Sequence, residues 1–133
     1  LYMAPESINR PEAADPRSDL YALGAVGYFM LTGHTVFEGT TVFDILSHHL
    51  HTEPVPPSKR GGRDVPPDLE GVILKCLRKN PEERPAAAGD LRNKLRQCAS
   101  ARTWTHEDAA VWWRTFRAST AHNAEHHPNI AIA

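Results

Sequence analysis

Ala4-Pro5-Glu6 near the start of the chain and Asn80-Pro81-Glu82-Glu83-Arg84-Pro85 much further on are the strings whose joint reading decides the fold. Between them stands Asp19-Leu20-Tyr21-Ala22-Leu23-Gly24. Each string is weak alone, and their order along the chain carries the signal. Working outward from them, the chain reads as helices. From Leu20 to Leu31 the residues are apolar on every face, the pattern of a helix surrounded by other elements, with Ser18 available as its cap and Gly33 as its stop.

A second helix is predicted to start at Thr41, with Asp44 three residues on in a capping-box arrangement. It carries Val42, Ile45, Leu46 and Leu50 on one side and a polar face with His48 on the other. Residues 53–67 hold five prolines and two glycines, so an irregular connection is expected there. Pro67 suits the first turn of a third helix, with Asp68 beside it at the positive end of the dipole. Leu69, Val72, Ile73, Cys76 and Leu77 then recur at helical spacing, and that helix ends before Pro81. A fourth helix runs through Ala88, Leu91, Leu95 and Cys98, with Arg92, Lys94 and Arg96 outward. Thr105 and Asp108 can cap a fifth, whose inner stripe is Ala109, Trp112, Trp113 and Phe116. No segment alternates as a strand, so the fold class is all-α with about five helices. The domain reading is 1–99 for the main unit, 100–118 for an extension helix and 119–133 for a disordered tail without periodicity.

The chain has 133 residues and 41% apolar content, enough for one domain with a core. Its net charge of -1 divides into -3 over residues 1–64 and +2 over the remainder, which gives no field to recruit nucleic acid or an anionic membrane. The mostly apolar run from Leu20 to Thr35 is shorter than the ~20 residues of a spanning helix and contains Gly24, Gly27 and Gly33. Two cysteines, Cys76 and Cys98, make no disulfide framework and fit a reducing, cytoplasmic setting. There is no signal peptide, and residue 1 is Leu, so the chain is expected to be cut at its N-terminal side.

The three strings in this order resemble the second half of the C-terminal lobe of a bacterial-type serine/threonine protein kinase, from the end of the activation segment through helices lettered F to I, over residues 1–99. The resemblance implies the helical half of that lobe, an incomplete kinase-like fold. The Gly-rich loop, the strand lysine, the H-R-D-L-x-x-x-N loop and D-F-G do not occur in these 133 residues. The implied catalytic, cofactor-binding and metal residues of this chain are therefore none, while ATP and Mg²⁺ are implied for the intact parent.

By the same resemblance Leu1, Tyr2 and Met3 occupy the P+1 loop that receives the residue after the phosphoacceptor. Glu6 and Arg84 match the family's structural ion pair. The pairing is physically sensible, since a guanidinium meets a carboxylate through two parallel hydrogen bonds and rigid prolines flank both residues. Asp19 matches the aspartate that anchors the catalytic-loop backbone, although on the residues alone it reads equally as a first-turn aspartate favoured by the helix dipole. Val26 and Met30 match the anchors of the core stack, a role that ordinary packing would also explain. Tyr21 and Ala22 depart from the Trp and Ser of many kinases.

Three further signals are set against plainer readings. Pro54-Val55-Pro56-Pro57-Ser58-Lys59 fits a polyproline ligand of an SH3 domain or, more simply, a stiff connector. His48, His49 and His51, or His122, His126 and His127, are read as solvated rather than metal-binding. Trp112-Trp113 is read as a docking core stripe, with a partner surface as the alternative. The function implied is part of a kinase that transfers the γ-phosphoryl of ATP to protein Ser or Thr, with protein substrates as partners of the parent, no nucleic acid and no membrane segment. The chain supplies substrate docking and scaffold and is inactive alone; the alternative is a non-catalytic, kinase-derived interaction module.

Overall fold

The computed structural model describes residues 1–61, 64–102 and 104–126 of the chain. The described residues are helical, with no strand among them: α1 Pro5–Asn9, α2 Pro16–Thr32, α3 Val42–His51, α4 Pro57–Arg60, α5 Pro67–Cys76, α6 Ala88–Gln97 and α7 His106–His126. Short 3-10 turns lie at Pro11–Ala13, Pro81–Glu83 and Ala99–Arg102. The backbone falls into two compact units, the first being Leu1–Ala99 and the second beginning at Ser100.

Local chemistry sets most of the helix ends in the first unit. Asp15 accepts from the Arg17 N–H at 2.7 Å and Pro16 fills the first turn, so α2 starts earlier than a Ser18 cap would allow. Ser18 turns its hydroxyl to Glu6 instead. Gly33 ends α2 at φ 73°, a left-handed conformation that glycine adopts without a Cβ penalty, and its N–H returns to the Phe29 carbonyl at 2.7 Å. Thr41 and Asp44 cap α3 reciprocally. Pro67 opens α5.

Residues 53–67, expected to be irregular throughout, contain the single turn α4. The connector is pinned to the unit: Pro57 is buried, the Tyr28 hydroxyl donates to the Val55 carbonyl at 2.9 Å, and the Ser58 N–H donates to Glu70 at 2.7 Å.

α2 and α5 form the centre of this unit. They approach closely because Gly24 and Gly27 have no side chain there; a Cβ on Gly24 would stand 2.6 Å from the Cys76 Cβ. Tyr21, Ala25, Tyr28, Val36, Phe37, Ile73 and Leu77 form one apolar cluster, and Leu20, Cys76 and Leu91 form another. Each fully buried large apolar side chain contributes about 1.5–3 kcal/mol. Cover is one-sided, however. Leu23, Val26, Phe29 and Met30 of α2 are exposed, so the expectation of a helix enclosed on every face is corrected.

In the second unit Thr105 and Asp108 cap α7 as their spacing predicts. The stripe of Trp112, Trp113 and Phe116 is about half exposed. Its rings pack on one another, Trp112 stacking on Phe116 at 5.1 Å between centroids and Trp113 meeting both edge-on. α7 also continues to His126, where a tail was expected from 119. Alanines at 118, 121 and 124 favour helix by propensity, which leaves no periodic trace. The remainder of that tail, with His127 of the second histidine set, lies outside the described residues. No helix among the described residues is long and apolar enough to cross a membrane.

Candidate functional site

α1 opens on Pro5, which sets Glu6 in its first turn, and the Pro81–Glu83 turn delivers Arg84 in extended backbone just before Pro85. These two residues meet across 78 positions of sequence. Arg84 Nη1 donates to Glu6 Oε1 at 2.7 Å and Nη2 to Oε2 at 2.8 Å, a two-pronged contact that only a planar guanidinium makes. The Arg84 side chain is 0% exposed and that of Glu6 7%.

The rest of the guanidinium is equally engaged. Nη1 also donates to the Arg17 carbonyl at 3.0 Å, Nη2 to the Lys79 carbonyl at 3.0 Å, and Nε to the Arg78 carbonyl at 2.8 Å. All five N–H donors of Arg84 are thus used, which is what a fully buried cation requires. Through them one side chain ties α1, the start of α2, the end of α5 and the 3-10 turn together. Burial opposes ionisation of Glu6, but the hydrogen bonds from Arg84 and from Ser18 Oγ, at 2.7 Å, outweigh it and hold the carboxyl below its usual range.

The guanidinium also lies over the Tyr21 ring, 5.0 Å from its centroid. The Tyr21 hydroxyl is 2.8 Å from His49 Nδ1, so the polar network passes from α2 into α3. Lys79 closes it from the other side: Nζ donates to the His48 and His49 carbonyls at 3.1 and 2.8 Å and sits over the Phe37 ring. Burial lowers the Lys79 ammonium to about 8 and the His49 imidazole to about 4.

The remaining predicted residues are placed differently. Leu1, Tyr2 and Met3 are exposed ahead of α1. Asp19 lies in the first turn of α2, exposed, and no hydrogen bond to its carboxylate is made among the described residues. Val26 and Met30 do share a face, but that face is bare: Met30 is 74% exposed, and both line an apolar groove of about 300 Å³ with Leu23, Leu69, Ile73 and Leu95. No other element of Leu1–Ala99 covers it.

Sequence reading missed His49, taken there as solvated and found 1% exposed. The signal was present, because residue 49 falls three and four positions after Leu46 and Ile45 on the inner stripe of α3. Val42, assigned to that stripe, is exposed at the first turn, beside Phe43 at 83%.

Chemically the network holds rather than reacts. Both oxygens of Glu6 and every donor of Arg84 are taken, which leaves neither residue free to move a proton, bind a metal ion or clasp a phosphate. The carboxylate and guanidinium therefore do not fit a role in holding Mg-ATP.

The protein kinase domain family matches residues 1–95. The serine/threonine-protein kinase PknB of Mycolicibacterium smegmatis is 44% identical over 94 residues, which cover 71% of this chain and 15% of that protein. PknB of Mycobacterium leprae is 40% identical over 94 residues with the same coverage. Serine/threonine-protein kinase pkn3 of Myxococcus xanthus is 40% identical over 95 residues, covering 71% of this chain and 17% of its own length. The matched stretch is thus a small part of each of these relatives.

Proposed function

This chain belongs to the protein kinase domain family, and from that premise we propose that it supplies the substrate-docking and scaffold part of a serine/threonine kinase that transfers the ATP γ-phosphoryl to protein hydroxyls. The observation that carries the reading is the Glu6–Arg84 fork with all five donors used. It fixes α1, and with α1 the start point of the exposed segment Leu1–Met3, against the body of the lobe. In this reading Leu1, Tyr2 and Met3 receive the residue after the phosphoacceptor. Asp19 supports the catalytic-loop backbone, and Val26 and Met30 carry the core stack from the side that is bare in this chain.

Phosphoryl transfer needs a positioned base, metal ligands and a phosphate-pairing lysine. The strings that carry them are not among these 133 residues, so the chain by itself is inactive, and protein substrates, ATP, Mg²⁺ and a cytoplasmic setting belong to the longer kinase. Calorimetric titration of the chain with Mg-ATP tests this. The expected result is no saturable heat, and reproducible binding with a micromolar Kd overturns it.

The exposure of Phe43 and Val42 at the start of α3 favours a second reading, a non-catalytic module that binds a partner through α3 and Leu1–Met3. The reading frame upstream of Leu1 separates the two. H-R-D and D-F-G strings encoded in frame support the enzyme, and a promoter and start codon close to Leu1 support the module.

A further inference from the structure

Of the ten residues of α3 only His49 is buried, so this helix has little apolar burial to hold it in place. That residue is a costly anchor. Nε2 of its ring is buried without a hydrogen-bond partner, a penalty that water would relieve if the helix moved out. What α3 has instead is a set of polar contacts gathered at its C-terminal end. Nδ1 of His49 lies 2.8 Å from the Tyr21 hydroxyl. Lys79, from the segment after α5, donates from Nζ to the His49 carbonyl at 2.8 Å and to the His48 carbonyl at 3.1 Å. The last carbonyls of a helix are short of donors and carry the negative end of its dipole, so an ammonium there is matched in both hydrogen bonding and charge.

We propose that α3 is a latched arm of the lobe, closed by Lys79 and able to open while α2 and α5 stay folded. The latch is fixed on its own side. The Lys79 carbonyl accepts from Arg84 Nη2 at 3.0 Å, and its ammonium lies 4.5 Å from the centroid of the Phe37 ring, which stacks on His48 and meets His49 edge-on. One residue thus joins the Glu6–Arg84 fork, through its backbone, to the end of α3, through its side chain. The arm is also self-contained at its start. Thr41 and Asp44 cap it reciprocally and the Thr40 hydroxyl donates to Asp44, so its first turn needs no partner outside residues 40–44. Val42 and Phe43, exposed on α3, belong to the partner surface of the second reading above, and an arm that opens changes what that surface offers. This consequence rests on that reading; the latch does not.

Amide hydrogen exchange of the whole chain, read by NMR across a series of low urea concentrations, tests this. In the unsubstituted chain the amides of residues 46–51 are expected to exchange through an opening that urea barely promotes, while those of the buried Ala25, Tyr28 and Ile73 follow global unfolding. One common urea dependence for all of them overturns the proposal. Lys79→Met keeps the length of the stem and removes the donors. It should speed exchange at 46–51 by about tenfold or more, while the three core amides change by less than about threefold. No acceleration at 46–51, or an equal one in α2 and α5, overturns the latch. If that variant does not fold, the urea series on the unsubstituted chain decides alone. No partner enters either measurement, so both stand apart from the reading of α3 as a binding surface.

Discussion

On one side of α2, Tyr21, Ala25 and Tyr28 are fully buried, and polar atoms from four other segments meet there with nearly every hydrogen bond made. A turn away, Leu23, Val26 and Met30 face an open apolar groove. The two sides are about equally apolar in sequence, so composition does not distinguish them. What distinguishes them is that Glu6, Arg84 and His49 return from distant parts of the chain to one side only. A helix apolar all round specifies that it must be covered, and its partners decide where.

The largest expected effect lies in the covered side. Arg84→Ala strands the Glu6 carboxylate in a site with almost no solvent and should destabilise the chain by about 3–5 kcal/mol in urea unfolding. Arg84→Lys keeps the charge but cannot reproduce the fork or the three carbonyl contacts, so it should recover only part of the loss. Full recovery would show that charge alone matters there.

Acid should attack the same side next. His49 is held near 4 against an ordinary 6.5, so between those values the unfolded chain takes up the proton first. Stability therefore falls as pH drops from about 6.5 towards about 4, by up to about 3 kcal/mol at 1.36 kcal/mol per unit. Glu6, whose carboxyl is held low, adds to the loss at the acid end. Urea midpoints across this range check the slope, and His49→Gln should flatten its upper part.

The α2–α5 seam comes third. Gly24→Ala puts a Cβ 2.6 Å from the Cys76 Cβ and should cost about 1–3 kcal/mol. Gly71→Ala, within α5 where a Cβ meets nothing within 4 Å, should instead stabilise by about 0.5–1 kcal/mol. Thermal melts of the two variants should move in opposite directions. The bare side should respond least. Met30→Gln should change stability by under about 0.5 kcal/mol while reducing binding of a hydrophobic dye and any self-association.

How far the sequence could be read follows the same division. Features set by neighbouring residues were legible: the Thr41–Asp44 box, Pro67, the Gly33 stop and the Thr105–Asp108 cap each need only a few positions. The Ser18 cap was misplaced by three residues: Asp15 is as good a cap by residue type, and the proline that follows it is the cue that separates the two. The meeting of Glu6 with Arg84 came from the resemblance, since no local pattern relates residues so far apart. His49 was hidden by residue type: histidine reads as polar, and only its register on the α3 stripe signals burial. Val26 and Met30 could not be placed from periodicity, which marks a face as apolar without saying whether anything packs on it. The length of α7 was missed because propensity, unlike packing, leaves no spacing to read.

Urea unfolding of Arg84→Ala and Met30→Gln side by side, each against the unsubstituted chain, tests most directly the claim that α2 has one completed side and one open side. A loss of about 3–5 kcal/mol for the first and under about 0.5 kcal/mol for the second is the predicted result. Similar losses for both would contradict it, since Met30 would then be packed as firmly as the network or Arg84 would be as exposed as the groove.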